Sequence, residues 1–359
     1  MKLKIGIIGC GGIANQKHFP SLKINSALCE MAAFCDIIEE RAVKAAKEYG
    51  TENAKVYTDY HNLLADPAID VVHVLTPNRA HAQIVIDAFE AGKHVMCEKP
   101  MAASGEDAER MVEAWRKSGK KFTIGYQNRF RPDVWSLHAA CKDGDLGDIY
   151  YATAHALRRK AVPTWGVFPD KEKQGGGPLI DIGTHALDMT LWCMDNYEPK
   201  SVSGQAFHKM GSQTDGNLWG PWDPAKYDVE DSAFGFIKMK NGAVVYLESS
   251  WILNIKESRE ASTTLCGTKA GADIFVNGDI AYYRSNHGIL TQELNSAKGE
   301  VAYFDSADAS APGALEAKQW LECIINDTDP VVLPEQALVV TKILEAVYIS
   351  SETGKEVFF

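Results

Sequence analysis

The sequence predicts an α/β protein in two parts: an N-terminal Rossmann domain with a doubly wound parallel sheet, then a C-terminal α+β domain with a large, open, mostly antiparallel sheet. Three observations carry this expectation. Short apolar runs alternate with helical stretches as far as Tyr126, the first run empties into Gly9-Cys10-Gly11-Gly12-Ile13-Ala14, and beyond Asn128 strands succeed one another without long helices between them. Repeated βα units with near-continuous apolar strands make a parallel sheet covered on both faces; successive alternating strands make an antiparallel or mixed one. A chain of 359 residues is also too long for one ordinary core. The boundary is placed between residues 126 and 127, giving domains 1–126 and 127–359.

Taken in order, Lys4-Ile5-Gly6-Ile7-Ile8 is a short buried strand. The turn that follows has the form G-x-G-x-x-A, in which each small residue has a task. Gly9 permits the tight turn, Gly11 lets backbone approach a pyrophosphate, and Ala14 lets the next helix pack on the strand. The helix then offers unpaired N–H groups and a positive dipole end to the phosphates. Glu30 to Cys35 is the second strand and ends at Asp36, 22 residues past Ala14. A carboxylate at that place accepts hydrogen bonds from the ribose hydroxyls of NAD and repels the 2′-phosphate of NADP; the competing reading is a solvated turn residue. NAD is therefore the expected cofactor and NADP the less favoured one.

Helices are expected at Glu39–Tyr49 and Tyr60–Leu64, a strand at Asp70–Thr76, a helix from Arg79 to Ala91, a strand at His94–Glu98, a Ser104-capped helix to about Lys117, and a strand at Phe122–Tyr126. In such sheets ligands bind beyond the carboxyl ends of the strands. Gly9, Asp36, Thr76-Pro77-Asn78, Glu98-Lys99-Pro100 and Gln127-Asn128 should therefore share one rim. Beyond it come a helix at Pro132–Cys141, a turn at Gly144–Gly147, and strands at Ile149–Leu157 and about 200–208, 230–238, 243–251, 261–266, 272–276 and 280–284. Gly211–Lys226 reads as a long loop, and amphipathic helices at Ala314–Asn326 and Glu335–Thr353 close the chain.

Composition narrows the function. The net charge is −11 with no basic run, which argues against nucleic acid or an anionic membrane surface as partner. No apolar stretch approaches the length of a membrane helix. Lys2 and Lys4 ahead of an apolar run superficially suggest a signal peptide, but glycines at 6, 9, 11 and 12 break the run. The eight cysteines form no C-x-x-C pair, and a reduced, cytoplasmic setting is expected.

Two constellations could carry chemistry. Lys99 closes a strand on the expected cofactor rim, just before a proline that restricts the chain's exit; a partly desolvated lysine can act in proton transfer, although strand-end lysines are commonly just solvated. The second is Gly175-Gly176-Gly177-Pro178-Leu179-Ile180-Asp181-Ile182-Gly183-Thr184-His185-Ala186-Leu187-Asp188. A helix starting near Asp181 would put 181, 185 and 188 on one face. As a metal site this set lacks a companion His or Cys at short spacing, so no metal is expected.

With these residues on the page, the sequence resembles the Gfo/Idh/MocA oxidoreductase family, the glucose–fructose oxidoreductase and inositol dehydrogenase group. The resemblance covers most of the chain. It rests on the glycine turn, Thr76-Pro77-Asn78 with His81, Ala91-Gly92-Lys93-His94-Val95, Glu98-Lys99-Pro100, Gly144-x-Leu146-Gly147-x-Ile149 and Asp181-x-Gly183-x-His185. It implies a catalytic set of Lys99, Asp181 and His185. The cofactor contacts to expect are Gly9, Gly11, Gly12, Ile13, Asp36, Thr76, Asn78, His81, Glu98, Lys99 and Asn128. The family's open sheet often mediates oligomerisation, so a homo-oligomer, dimer or tetramer, is expected. A sheet face without a helical cover argues the same way.

Arg158 to Phe168 departs from simple inositol dehydrogenases and leads into the glycine triplet. On a strand Arg158 and Arg159 point to opposite faces, so at most one enters a pocket. An arginine there suits a carboxylate or a multiply hydroxylated ring, and Trp165 could stack on a sugar; packing of Trp165 and solvation of the arginines is the plain alternative. Tyr126, Gln127, Asn128 and Arg129 are further pocket candidates by position. The expected substrate binders are Tyr126, Arg158, Trp165, Asp181 and His185, and the expected partner is a carbohydrate or polyol. The leading expectation is an NAD-dependent dehydrogenase of a secondary hydroxyl on a sugar, inositol or glycoside. The order of proton transfer between Lys99 and His185 stays open. Glycoside cleavage through transient oxidation, and a non-enzymatic sugar or NAD sensor, are the alternatives.

Overall fold

The computed structural model describes residues 2–275, 277–296 and 308–359. Two compact units emerge. The first contains six parallel strands: β1 (Leu3–Ile8), β2 (Cys29–Cys35), β3 (Lys55–Tyr57), β4 (Val71–Val74), β5 (His94–Cys97) and β6 (Phe122–Ile124). Their order is β3-β2-β1-β4-β5-β6. The chain reverses direction across the sheet at β1/β4, the switch point where doubly wound sheets bind ligands. Helices α1 (Phe19–Ile24), α2 (Glu39–Tyr49), α3 (Tyr60–Leu64), α4 (His81–Glu90) and α5 (Gly105–Ser118) make the crossovers. Ser104 caps α5 by accepting from Asp107 N–H, as the sequence led one to expect, and Gly119 ends the helix in the left-handed region.

The chain from Arg131 starts the second unit, and its first helix is α6 (Pro132–Lys142). Its sheet has nine strands among the described residues: β7 (Ile149–Leu157), β8 (Pro199–Phe207), β9 (Ser232–Met239), β10 (Val244–Ser250), β11 (Arg259–Gly267), β12 (Ala270–Ile274), β13 (Asp279–Asn286), β14 (Ile289–Ser296) and β15 (Val357–Phe358). The order is β14-β13-β12-β11-β7-β10-β9-β8-β15, antiparallel throughout except for β7 beside β10. The strand expected at 272–276 spans 270–274, and Val276 lies outside the described residues. Strand β14 has no buried residue, so it carries no apolar alternation by which sequence could announce it.

One face of this sheet (Ala152, Ala154, Ala156, Val245, Leu247, Ile237) is buried. It packs against α8 (Thr184–Met194), which follows the one-turn helix α7 (Lys171–Gln174). The later helices are α9 (Pro312–Ile325) and α10 (Pro334–Thr353). Val347 of α10 lies so close to β8 and β9 that a Cβ on Gly204 or Gly235 would come within 2.8 or 2.9 Å of its side chain. The opposite face carries a band of aromatics, with Tyr246 between Tyr151 and Phe236 and with Phe207 against Phe234.

The sequence boundary at 126/127 differs from the contact map. The first unit runs to Phe130 and takes in the C-terminal segment that carries α9 and ends at Leu338. The physical reason is burial: Trp320, Leu321 and Cys323 of α9 sit in one core cluster with Ile5, Phe19 and Leu22. An amphipathic helix shows sequence only that it has a face to bury, not which of two cores takes it.

Candidate functional site

The opening turn follows from local sterics. Gly9 has φ +99°, and a Cβ there would lie 2.7 Å from the carbonyl oxygen of Leu75, so this position needs glycine. Gly11 and Gly12 differ: a Cβ on either would meet nothing within 4 Å. Packing does not require their bareness. It leaves open space at a helix start, which is the cradle a pyrophosphate needs. Asn15 ties the turn by donating to the carbonyls of Cys10 and Gly11 at 3.0 and 2.7 Å. At the end of β2, Asp36 accepts from Cys10 N–H at 2.8 Å and Ile38 N–H at 2.9 Å. A carboxylate has about four acceptor positions, so the two backbone bonds fix it and leave capacity for ribose hydroxyls. The donor set fits NAD.

At the neighbouring strand ends, two polar atoms are buried without a hydrogen-bond partner among the described residues, Thr76 Oγ1 and Asn128 Nδ2. Buried orphans of this kind call for an explanation, a bound group being one. His81 is turned inward: Nδ1 faces Pro100 O at 3.0 Å and Nε2 faces Thr76 O at 2.9 Å. It bridges the chain after β4 to the chain after β5. Burial lowers its pKa, so the neutral ring donates to one of these carbonyls at a time.

Glu98 is also buried. Its Oε1 accepts from Lys17 Nζ at 2.6 Å and His18 Nε2 at 2.7 Å, and its Oε2 from Lys99 N–H at 3.0 Å. Lys17 Nζ reaches Glu316 of α9 at 2.9 Å and Gln127 Oε1 at 3.3 Å. Its neighbour His18 meets His73 of β4 through the two Nδ1 atoms, 3.3 Å apart. Because His18 Nε2 must carry the proton given to Glu98, its Nδ1 accepts, and His73 Nδ1 donates. Burial opposes charge on Glu98, but Lys17 and His18 outweigh it and hold the carboxyl well below its ordinary range. Burial and Lys17 both keep His18 neutral. The sequence expectation had Glu98 and His81 facing the cofactor; the structure spends their polar atoms on the protein, where they fix the backbone before and after Lys99. Tyr126 and Arg129 are likewise buried, and Arg129 donates to Val331 O and Gln336 Oε1. Lys99 itself is half-buried.

In the second unit the glycine triplet proves to be a packing device. A Cβ on Gly176 would lie 2.1 Å from Tyr348 Oη, and one on Gly177 2.3 Å from Glu230 O. Glu230 accepts from Gly177 N–H at 2.8 Å, Leu179 N–H at 3.1 Å and Tyr348 Oη at 2.8 Å. It thereby caps the start of the helical segment. Burial pushes its carboxyl up, and these donors pull it back only in part. The segment opens with a π-helical turn, Leu179–Gly183, before α8. The even 3.6-residue face expected for 181, 185 and 188 is thus interrupted: Asp181 is half-buried, and His185 and Asp188 are buried. Asp181 accepts at 3.0 Å from the indole N–H of Trp251, a fully buried residue. No three His, Cys, Asp or Glu side chains converge as a metal site among the described residues.

The insert is ordered by its own contacts. Arg158 makes a two-pronged pair with Glu260, at 2.6 and 2.5 Å, and lies 5.2 Å from the ring centre of Trp219. Trp165 is half-exposed, edge-to-face with both Phe168 and Trp219. Lys17, His18, Glu230, Trp251 and Glu316 were not anticipated. A buried acidic pair entering an apolar strand, Glu230-Asp231, is a signal that could have been read; nothing local marks Glu316.

Comparison with known proteins places the two parts of the chain in one family. Residues 3–126 match the GFO_IDH_MocA family model, described as an oxidoreductase family with an NAD-binding Rossmann fold. Residues 134–273 match the GFO/IDH/MocA C-terminal domain. The chain is 39% identical over 355 residues to the D-glucoside 3-dehydrogenase of Escherichia coli K12, covering 99% of this chain and 97% of that protein. It is 28% identical over 276 residues to the levoglucosan dehydrogenase of Pseudarthrobacter phenanthrenivorans, 69% of this chain and 67% of that one. A solved levoglucosan dehydrogenase in complex with NADH and levoglucosan shares the fold at a TM-score of 0.86, 21% identity and coverage of 100% and 99%.

The buried cluster makes a pH prediction. Burial raises the Glu316 carboxyl from 4.5 to about 7, against the pull of Lys17. A carboxyl that holds its proton more tightly when folded makes stability fall as pH rises from 4.5 to about 7, and no further above that. Glu98, shifted the other way, costs stability only as pH drops below 4.5. Glu316→Gln should therefore remove a decline across pH 4.5 to 7. Urea midpoints measured at several pH values check it, and parallel curves for variant and parent would show that Glu316 does not titrate in this window.

Proposed function

The chain belongs to the Gfo/Idh/MocA oxidoreductase family, and from that premise we propose that it is an NAD-dependent dehydrogenase of a secondary hydroxyl on a glucoside, sugar or cyclic polyol. The observation that carries the reading is the full-length similarity to a D-glucoside 3-dehydrogenase, joined to an intact Lys99, Asp181 and His185. Proton-transfer groups of this kind have no use in a mere sensor.

When bound, NAD supplies the acceptor for the hydride that leaves the carbinol carbon. The chain's own residues do the rest. The bare backbone of Gly9, Gly11, Gly12 and Ile13 takes the pyrophosphate, and Asp36 accepts from the ribose hydroxyls. Thr76, Asn78 and Asn128 supply side-chain hydrogen bonds at the rim, and Glu98 and His81 fix the strand ends. Lys99 donates to the reacting oxygen and stabilises the negative charge that develops there. His185 takes the hydroxyl proton as the C–H bond breaks and the C=O bond forms. Asp181, aimed by Trp251, holds a substrate hydroxyl. Trp165 offers an apolar ring face, and Arg158 acts through its hold on the insert. Tyr126, wholly buried, supports the pocket rather than touching substrate.

The aromatic band on the open sheet face supports self-association, with a second copy covering Tyr246 and its neighbours. Eight cysteines that form no disulfide among the described residues, six of them buried, and family membership support a cytoplasmic setting.

Lys99→Met should retain NAD binding while NADH production falls at least ~10²-fold, the scale of general acid–base catalysis; near-parental turnover would remove Lys99 from the mechanism. Asp36→Ala should shift the ratio of kcat/KM values towards NADP, and a parent enzyme that already prefers NADP refutes the role given to Asp36. Light scattering should give at least a dimer, whereas a monomer at micromolar concentration discards the association claim.

A further inference from the structure

Four aromatic rings form a continuous series within the second unit. Trp251 holds Asp181 through its indole N–H. Phe168 stands edge-on to Trp251 with centroids 6.4 Å apart, Trp165 edge-on to Phe168 at 6.1 Å, and Trp219 edge-on to Trp165 at 4.9 Å. The inner end is dry: Trp251 is fully buried. The outer end is not, since Trp165 and Trp219 are 45% and 38% exposed. We propose that Trp165 and Trp219 form a second binding surface that takes the ring attached to the oxidised sugar, the second pyranose of a disaccharide or a ring aglycone. This rests on the dehydrogenase reading above.

The two tryptophans are not loose surface residues. The loops that carry them are laced together by Asn217, whose side chain accepts from Val162 N–H at 2.8 Å and donates to Val162 O at 3.1 Å and Gly220 O at 2.7 Å. Leu218 N–H donates to Lys160 O, and Thr164 Oγ1 donates to the carbonyl of Trp219 itself. Arg158, clamped by Glu260, lies over the Trp219 ring and fixes its plane. Considerable ordering is thus devoted to presenting two indoles to water, against the usual gain from burying them. Rigid aromatic area at low entropy cost is what a ring ligand with an apolar C–H face can use. Two further rings intervene between this surface and Asp181. In this proposal the hydroxyl held by Asp181 and the face stacked on Trp165 or Trp219 belong to different rings of the ligand. A simple cyclic polyol has nothing to place there.

The test compares kcat/KM for cellobiose, phenyl glucoside and glucose, followed by NADH fluorescence, in the parent, Trp219→Ala and Trp219→Phe. The parent should favour the two-ring compounds. Trp219→Ala should lower the two-ring to one-ring ratio by roughly fivefold to tenfold, the worth of one aromatic contact, mostly through KM; Trp219→Phe should recover much of it. Preference for cellobiose alone assigns the surface to a sugar, and preference for phenyl glucoside alone to an apolar aglycone. A parent without two-ring preference, or an equal loss for all three compounds, overturns the proposal. If none of the three is oxidised, the choice of substrate falls but the surface is still judged: quenching of parent tryptophan fluorescence by cellobiose or phenyl glucoside beyond that by glucose, lost in Trp219→Ala, upholds it, and no such difference rejects it.

Discussion

The first unit depends on a buried ion cluster centred on Lys17. One ammonium, fully out of water, binds Glu98 at the end of β5 and Glu316 on α9, while His18 beside it binds the same Glu98 oxygen. Burial works against the charge on Lys17, and the two carboxylates more than compensate, so its pKa ends above the ordinary value. Removing one partner from such a cluster strands a charge at a cost of about 3–5 kcal/mol, although an apolar replacement of the whole set can be neutral. The cluster is therefore better understood as a constraint on geometry than as a source of stability. It links the helix that follows the glycine turn, the strand that carries Lys99, and a helix from almost three hundred residues further along the chain.

The two glycine-rich segments look alike in sequence and act differently. At Gly11 and Gly12 the missing side chains leave room for something that is not protein. At Gly176 and Gly177 they let backbone come against Tyr348 and Glu230, so that the helical segment bearing Asp181 and His185 is capped and fixed. Sequence shows that a side chain is absent at both places. Only the surroundings tell whether a ligand or a neighbouring strand needs the space.

The same limit explains what was legible. The Rossmann half was readable, apart from the short edge strand β3 in which nothing is buried, because its other strands are short apolar runs, and Gly9 and Asp36 stand at the spacing the turn demands. Strand β14 was not, because nothing in it is buried. Helix α9 was seen as a helix but placed in the wrong core, since its partners Phe19 and Leu22 are remote in the chain. Among candidate site residues, type was readable and direction was not. Glu98, His81 and Arg129 are the right kinds of residue at strand ends, yet each is turned into the protein. Trp251, which aims Asp181, lies seventy residues beyond it, where no local pattern could single it out.

Two helical segments of this chain share a local change in winding. Both segments that carry candidate chemistry enter their helices through a π turn, Ala14–His18 before α1 and Leu179–Gly183 before α8. A π turn holds more residues per turn than an α-helix and is commonly found at functional sites. In the first case it buries both Lys17 and His18, adjacent residues that regular winding would set about 100° apart. In the second, Asp181 stands half-buried within the π turn and accepts from Trp251, while the regular helix begins at Thr184, one residue before His185. Lys17 and His18, adjacent in the first turn, both reach the one buried carboxylate of Glu98. Asp181 and His185, four residues apart across the join of π turn and α-helix, differ in exposure.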